Sequence, residues 1–480
     1  VEWGPSPTMC FRCEETQRIF SQWIQRIVEE NPRLRQITIY FGDFASICSD
    51  TCERCGITPY PQRVIEVMNF LNKEARKVNP KVKIIGQTWL LHGEDEVKQI
   101  IENTPQGLGI MMNEPASAEK VDVLGFGSQE IWLGIYELDN TYGPLYLKAG
   151  KLRKRDFYPL MGIGDSCESV DPVVGMQLPW TAARKIRRAA ENGMVNICVW
   201  WGIHPWVYSS NHKVFKEMVF DPFQDIDTLI ERIAKEDFGV AAYKEVLEAW
   251  RLIEEAFASW KPIVSWYERI EKYTGRCIRR AFSVPLTESL IEQDWSKHST
   301  DWTLSMSKSN KIDWWAYRNL HTLVSNREKI CEKLSEALEH AQKAYELTTG
   351  ESRVKARQQF NWLTLLYRLF LSQYHYFKTL QFEKERIENK EAQREWIKVV
   401  QAEIENCEEV YKLIDSLGQD ISNISGISAR DMISEDKLAI TLKIKQMKDG
   451  IKPGNIEKTL RHKAQRKEDI LSICRSADNT

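Results

Sequence analysis

From Val1 to about Asn211 short apolar runs alternate with amphipathic ones, and from Pro222 onwards the apolar residues recur only at helical spacing. In the first part each helix carries the chain back along the sheet, so successive strands are expected to run parallel. In the second part the stripes at i, i+3 and i+4 are buried helix against helix. The two parts therefore belong to different fold classes, α/β and then all-α.

The elements can be placed individually. Glu14–Glu30 carries Ile19, Trp23 and Ile27 at spacings of four and stops at Asn31-Pro32, which predicts a helix. Gln36–Phe41 reads as a strand running into Gly42-Asp43. Helix Gln62–Val78 leads to strand Val82–Gly86, with Trp89 beyond it, and helix Asp95–Asn103 leads to strand Leu108–Met112, which ends at Asn113-Glu114. Further strands are expected at Ile131–Tyr136, before Glu137 and Asp139, and at Tyr158–Ile163, before Asp165 and Glu168. Helix Pro179–Asn192 precedes a last strand, Ile197–Val199. Repeated units of this kind, with the polar residues following the strands, predict a partial (β/α)8 barrel of the TIM type over residues 1–221, its first strands lying upstream of Val1. The opening VEWGPSPTMC has neither a basic n-region nor an apolar h-region and reads as an interior stretch.

Residues 222–417 are expected to form a helical bundle. Its stripes are Val246, Trp250, Ile253 and Phe257; Leu323, Ile330, Leu334, Leu338, Ala341 and Tyr345; Leu363, Leu366, Phe370, Tyr374 and Phe377; and Ile397, Val400, Ile404, Cys407, Tyr411 and Ile414. Residues 418–480 are expected as a charged, loosely attached helical tail, whose basic run Arg461–Lys467 is a solvated face. A net charge of −2 over 480 residues gives no reason to expect a nucleic-acid partner, and no apolar run is long enough to span a membrane. Cys198, Cys277, Cys331 and Cys407 stand singly in periodic patterns and read as buried thiols, which leans towards a reducing compartment.

Chemistry is concentrated after the strands. In Asn196–Tyr208, NICVWWGIHPWVY, a buried strand delivers Trp201, His204 and Trp206 together. Aromatic faces stack on the C–H faces of a pyranose while polar tips take its hydroxyls, so this segment and Trp89 suit a sugar-binding cleft, with Trp200 in the core by alternation. Asp43, just past a strand and preceded by Gly42, is placed to act as a general acid, base or sugar ligand. Glu137 and Asp139, flanked by Asn140 and Tyr142, form a second acidic cluster, and Asp165, Glu168 and Asp171 a third. Glycosidic cleavage needs two carboxyl groups across the bond, and these clusters offer several pairs. Asn113-Glu114 resembles the Asn-Glu dipeptide that many barrel glycosidases place after a strand, where Asn holds a sugar hydroxyl and Glu is the acid. For each carboxylate the competing role is capping a loop.

Cys10-x-x-Cys13 and Cys48-x-x-x-Cys52-x-x-Cys55 flank the strand that leads to Asp43. A structural zinc held by four of these thiolates, two reduced pairs and a disulfide are each compatible with the spacing.

The run from Pro5-Ser-Pro through the first helix to Ile-Tyr-Phe-Gly-Asp43 and the Cys-rich loop resembles the middle of barrel glycoside hydrolases related to β-N-acetylhexosaminidases and α-glucuronidases. Asp237-Phe-Gly-Val-Ala-Ala, Leu247-Glu-Ala-Trp250 and Ala256-Phe257 resemble the helical region that follows their barrel. The resemblance implies a fourth barrel strand ending in a catalytic acid and a carbohydrate substrate, with no cofactor required. One departure is informative: hexosaminidases carry Asp-Glu where this chain has Asp43-Phe44, so the acid needed for substrate-assisted hydrolysis of an N-acetyl sugar is missing from that position. The first reading is a glycoside hydrolase acting by carboxylate acid/base catalysis. The alternatives are an inactive glycan-binding barrel and a helical interaction scaffold.

Overall fold

The computed structural model describes residues 10–41, 52–88, 94–113, 119–122, 128–131, 143–153, 156–161, 177–199, 209–258, 286–287, 310–386, 389–421 and 427–461. Two compact units emerge, one made of Val1–Ser117, Glu137–Gly162 and Lys185–Trp200, the other of Ala118–Tyr136, Ile163–Arg184 and Trp201–Thr480.

In the first unit α1 (Glu14–Glu30), β1 (Gln36–Phe41), α2 (Tyr60–Val78), β2 (Lys83–Thr88), α3 (Glu94–Asn103) and β3 (Gly109–Asn113) follow one another as expected from the pattern. In the chain a short antiparallel pair that belongs to the second unit, β4 (Glu119–Asp122) and β5 (Ser128–Ile131), intervenes before α4 (Gly143–Arg153) and β6 (Phe157–Met161); α5 (Pro179–Glu191), which belongs to the second unit up to Arg184, and β7 (Cys198–Val199) complete the series. Strands β1, β2, β3, β6 and β7 form one parallel sheet, in that order. Each new strand is added beside the last, with no reversal, so all five carboxyl ends lie on one edge. Of the strand expected at Ile131–Tyr136, Ile131 closes the antiparallel pair, opposite Glu119, and residues 132–136 lie outside the described residues.

One face of the sheet packs on helices. Ile84, Ile110 and Phe157 are fully buried with Val64, Met68 and Leu71 of α2, and Gly86 lets the Met68 side chain lie directly against β2. On α1 Ile24 and Val28 are buried and Phe20 partly so, one step round from the Ile19, Trp23 and Ile27 stripe read from the sequence; Ile19 and Trp23 are 44% and 47% exposed and Ile27 is partly buried.

The other face is curled. The Gln36 amide on β1 donates to the Tyr158 hydroxyl on β6 at 3.0 Å, although β2 and β3 lie between them. Three strand spacings in a flat sheet come to about 14 Å, so these side chains meet across a concave surface. Gly109 makes room for the crossing: a Cβ there would lie 2.9 Å from the Tyr158 ring and 2.7 Å from Ile85. Nearby, Lys83 bonds Asp156 at 2.5 Å and the Gly107 N–H donates to the same carboxylate at 2.9 Å. Arg153, almost wholly buried at the end of α4, donates to the carbonyls of Thr104, Pro105 and Leu108 at 2.6, 2.9 and 3.1 Å, satisfying the backbone between α3 and β3.

In the second unit α6 (Ser210–Phe220) and α7 (Ile226–Ala258) lead to α8 (Asn310–Leu347), α9 (Gly350–Arg386), α10 (Lys390–Ile421) and α11 (Ile427–Gly450). α8 packs against α7 and α9, α10 against α9, and α11 against α10. Most residues of the expected stripes are buried, Leu338, Tyr345 and Tyr374 being partly so, with two shifts on α10: Trp396 fills the core while Ile397 is partly buried, and Val410 fills it while Tyr411 is 39% exposed. α7 is two helices joined at Gly239, where φ is +78°. Its Glu254 accepts from the N–H and hydroxyl of Thr181, at 2.9 and 3.0 Å, capping the first turn of α5; burial raises this carboxyl's pKa against the pull of these bonds and of Arg184. The segment expected as a loose tail contains α11, whose Ile440, Lys443 and Met447 are fully buried in the bundle. Of the basic run expected on that tail, Arg461 is described and exposed; the remainder lies outside the described residues.

Candidate functional site

Every strand of the parallel sheet ends at the same edge, and register keeps those ends level: Phe41 lies beside Thr88, Thr88 beside Met112, Asn113 beside Leu160 and Met161 beside Val199. Asn113 is itself the last residue of β3. Asp43 follows β1 by two residues, Trp89 follows β2 by one, Glu114 follows β3 by one, Asp165 and Glu168 follow β6 by four and seven, and Trp201, His204 and Trp206 follow β7 by two, five and seven. Asp43, Trp89, Glu114, Glu137, Asp139, Asn140, Tyr142, Asp165, Glu168, Trp201, His204 and Trp206 lie outside the described residues, as does Cys48.

Four of the five candidate metal-binding thiols are described. Cys10 and Cys55 approach to 3.5 Å and Cys10 and Cys52 to 3.8 Å, and the three sulfurs all lie within 4.8 Å of one another. Cys13 is outside this trio. It occupies the N-cap position of α1, where the backbone N–H groups of Thr16 and Glu15 hold its thiol pKa below the ordinary range, without a capping hydrogen bond being formed. Of the thiols read as buried, Cys331 and Cys407 are so, burial raising both pKa values, Cys198 is half-buried, and Cys277 lies outside the described residues.

Two polar constellations were not anticipated from the sequence. One is the floor of the curled sheet, Gln36, Lys83, Asp156 and Tyr158, of which Lys83 is the visible signal as a lone cation in an apolar strand. The other lies inside the bundle. Glu403 of α10 is fully buried and accepts from Lys443 of α11 at 2.5 Å and His375 of α9 at 2.7 Å, and also from Ser372. Burial alone would raise this carboxyl's pKa, but the charge of Lys443 and the bond from His375 outweigh it and hold the pKa at about 2. Its signal was a charge at helical spacing within an apolar stripe: Glu403 between Val400 and Cys407, Lys443 between Ile440 and Met447.

No protein-family model and no curated protein sequence matches this chain. Among solved structures, CpGH89 from Clostridium perfringens, in complex with its substrate GlcNAc-alpha-1,4-galactose, aligns with a TM-score of 0.47 and 11% identity, covering 89% of this chain and 40% of that one. An O-GlcNAc hydrolase of Thermobaculum terrenum aligns at 0.40 with 10% identity, over 92% and 77% of the two chains. A family 89 glycoside hydrolase from C. perfringens in complex with PUGNAc aligns at 0.37 with 13% identity, over 95% and 48%. The chain thus spans about two fifths of the first of these proteins. At these scores the likeness is coarse. None of the described helices is long and apolar enough to cross a membrane.

Proposed function

We propose that the chain carries part of a (β/α)8-type barrel and is a glycoside hydrolase acting on O-glycosidic bonds by carboxylate acid/base catalysis. The observation that carries the reading is the sheet: five parallel strands added in sequence order and curled enough for β1 and β6 side chains to touch, their carboxyl ends on one edge. In barrels of this construction ligands bind at that edge. The segments leaving it contain Asp43, Trp89, Asn113-Glu114, Asp165, Glu168, Trp201, His204 and Trp206, while Glu137, Asp139, Asn140 and Tyr142 lie between β5 and α4. Asp43 would protonate the departing glycosidic oxygen or hold a sugar hydroxyl. A carboxylate from Glu137, Asp139, Asp165 or Glu168 would attack the anomeric carbon or deprotonate the incoming water. Trp89, Trp201 and Trp206 would stack on sugar faces, with His204, Asn113, Glu114, Asn140 and Tyr142 taking hydroxyls.

The test is hydrolysis of a panel of aryl glycosides and glucuronides by the full-length protein and its Asp43→Ala variant. Turnover of one class that is lost in the variant, with sugar binding retained, is expected. Unchanged turnover in the variant removes Asp43 from the acid role. Phe44, standing where hexosaminidases have a Glu, favours one second reading, an inactive glycan-binding barrel; it predicts binding without turnover across the whole panel.

A further inference from the structure

Cys10 lies just before α1, and Cys52 and Cys55 just before α2, so the chain between them carries α1, β1 and the segment containing Asp43. Both ends are tight turns. The Cys13 N–H donates to the Cys10 carbonyl at 3.0 Å, and the N–H groups of Cys55 and Gly56 donate to the Cys52 carbonyl at 3.2 and 2.7 Å. Arg12 ties the turns together, donating to the Arg54 carbonyl at 2.8 Å and to both Glu66 oxygens at 2.9 Å. Phe11 anchors the first turn in the core, edge-on to Phe70 at 5.1 Å. The sulfurs are therefore held by two braced turns separated by 38 residues of sequence between Cys13 and Cys52.

The separations discriminate between chemistries. A sulfur–sulfur bond is about 2.05 Å long, whereas thiolates about 2.3 Å from a tetrahedral zinc stand about 3.8 Å from one another. Here the pairs are at 3.5 and 3.8 Å, with the third separation inside 4.8 Å. We propose that Cys10, Cys52 and Cys55 bind a structural zinc-class ion that closes the loop leading into α2. Soft thiolates select such an ion over magnesium or calcium, and the Arg12 guanidinium, paired with Glu66, braces the turns close to Cys10 and Cys55. Cys13 stays outside the trio, at the N-cap of α1, so among the described residues the ligands brought together are these three thiolates. The role is structural, because catalytic zinc sites include histidine or carboxylate among their ligands and the three groups gathered here are all thiolates. It holds whether or not the chain proves to be a hydrolase.

Metal content of the full-length protein, purified without chelator, is measured together with a cobalt(II) titration of the reduced, metal-stripped protein. One zinc per chain is expected, with an intense thiolate-to-cobalt charge-transfer band and the visible bands of tetrahedral cobalt. Cys10→Ser, Cys52→Ser and Cys55→Ser each abolish that band, while Cys198→Ser keeps it. If a serine variant fails to fold, the wild-type chain still decides: chelation lowers its Tm, and zinc but not magnesium restores it. Metal-free protein with no cobalt band, a Tm indifferent to chelation, or a disulfide joining two of the three thiols overturns the assignment.

Discussion

At Gly239 a single residue turns one helix into two. Its φ of +78° and ψ of +166° fall where only glycine sits without strain, and the break lets α7 change direction two residues after Asp237. Asp237 is itself almost fully buried, and its carboxylate meets the ammonium groups of Lys213 on α6 and Lys355 on α9. The Asp-Phe-Gly motif therefore places a bend and a charge-paired anchor side by side. Gly239→Ala is expected to cost about 1–3 kcal/mol, read as a lowered urea midpoint with an unchanged slope; a midpoint equal to wild type would show that the backbone can relax there. The residue scale is also where the sequence was least legible. An isolated glycine in a helical pattern has the same letter whether it bends the chain or not, and Cys10 and Cys13 look equivalent until the chain path gathers one with Cys52 and Cys55 and leaves the other at a helix N-terminus.

Helices and strands were far more legible, because period and punctuation are local properties. The expected spans of α1 and β1 match the structure, and α2, β2, α3 and β3 differ by two residues or fewer at their ends. Errors arose where a neighbouring element chooses the face: α1 turns Phe20, Ile24 and Val28 inward instead of Ile19 and Trp23, and α10 buries Val410 instead of Tyr411. Most strongly dependent on neighbours is Glu403, which α9 and α11 surround with donors. Removing one partner of a buried pair strands the other, so Glu403→Gln is expected to destabilise the bundle by about 3–5 kcal/mol, with Glu403→Leu combined with Lys443→Met recovering most of the loss. Since the folded pKa of Glu403 is depressed, its contribution is complete above the ordinary glutamate value of 4.5 and is lost as pH falls towards 2. Urea midpoints measured between those limits should fall in wild type and flatten in Glu403→Gln; parallel curves would remove Glu403 from the acid sensitivity.

Among the described residues two hydrophobic cores are distinct: one around Val64, Met68, Ile84, Ile110 and Phe157, the other around Phe257, Leu334, Phe370, Trp396 and Val400. Separate cores make a single two-state transition unexpected. Ile110→Ala and Leu334→Ala, each expected to cost about 2–5 kcal/mol, should therefore move different transitions in calorimetry; a common shift of one peak would show that the chain unfolds as a unit. The change from α/β to all-α was written in the sequence, because a period of helix–strand units gives way to helical stripes alone, and parallel strands follow from helical crossovers. That aromatic and acidic residues cluster after strands was equally visible, since position along the chain is all that statement requires. Only tertiary structure decided that the strands add in order on one curled sheet, that three thiols from two ends of a loop meet, and that Glu403, His375 and Lys443 share one buried site. Each of these depends on groups distant in sequence being brought within a few ångströms, and local periodicity carries no record of such distances.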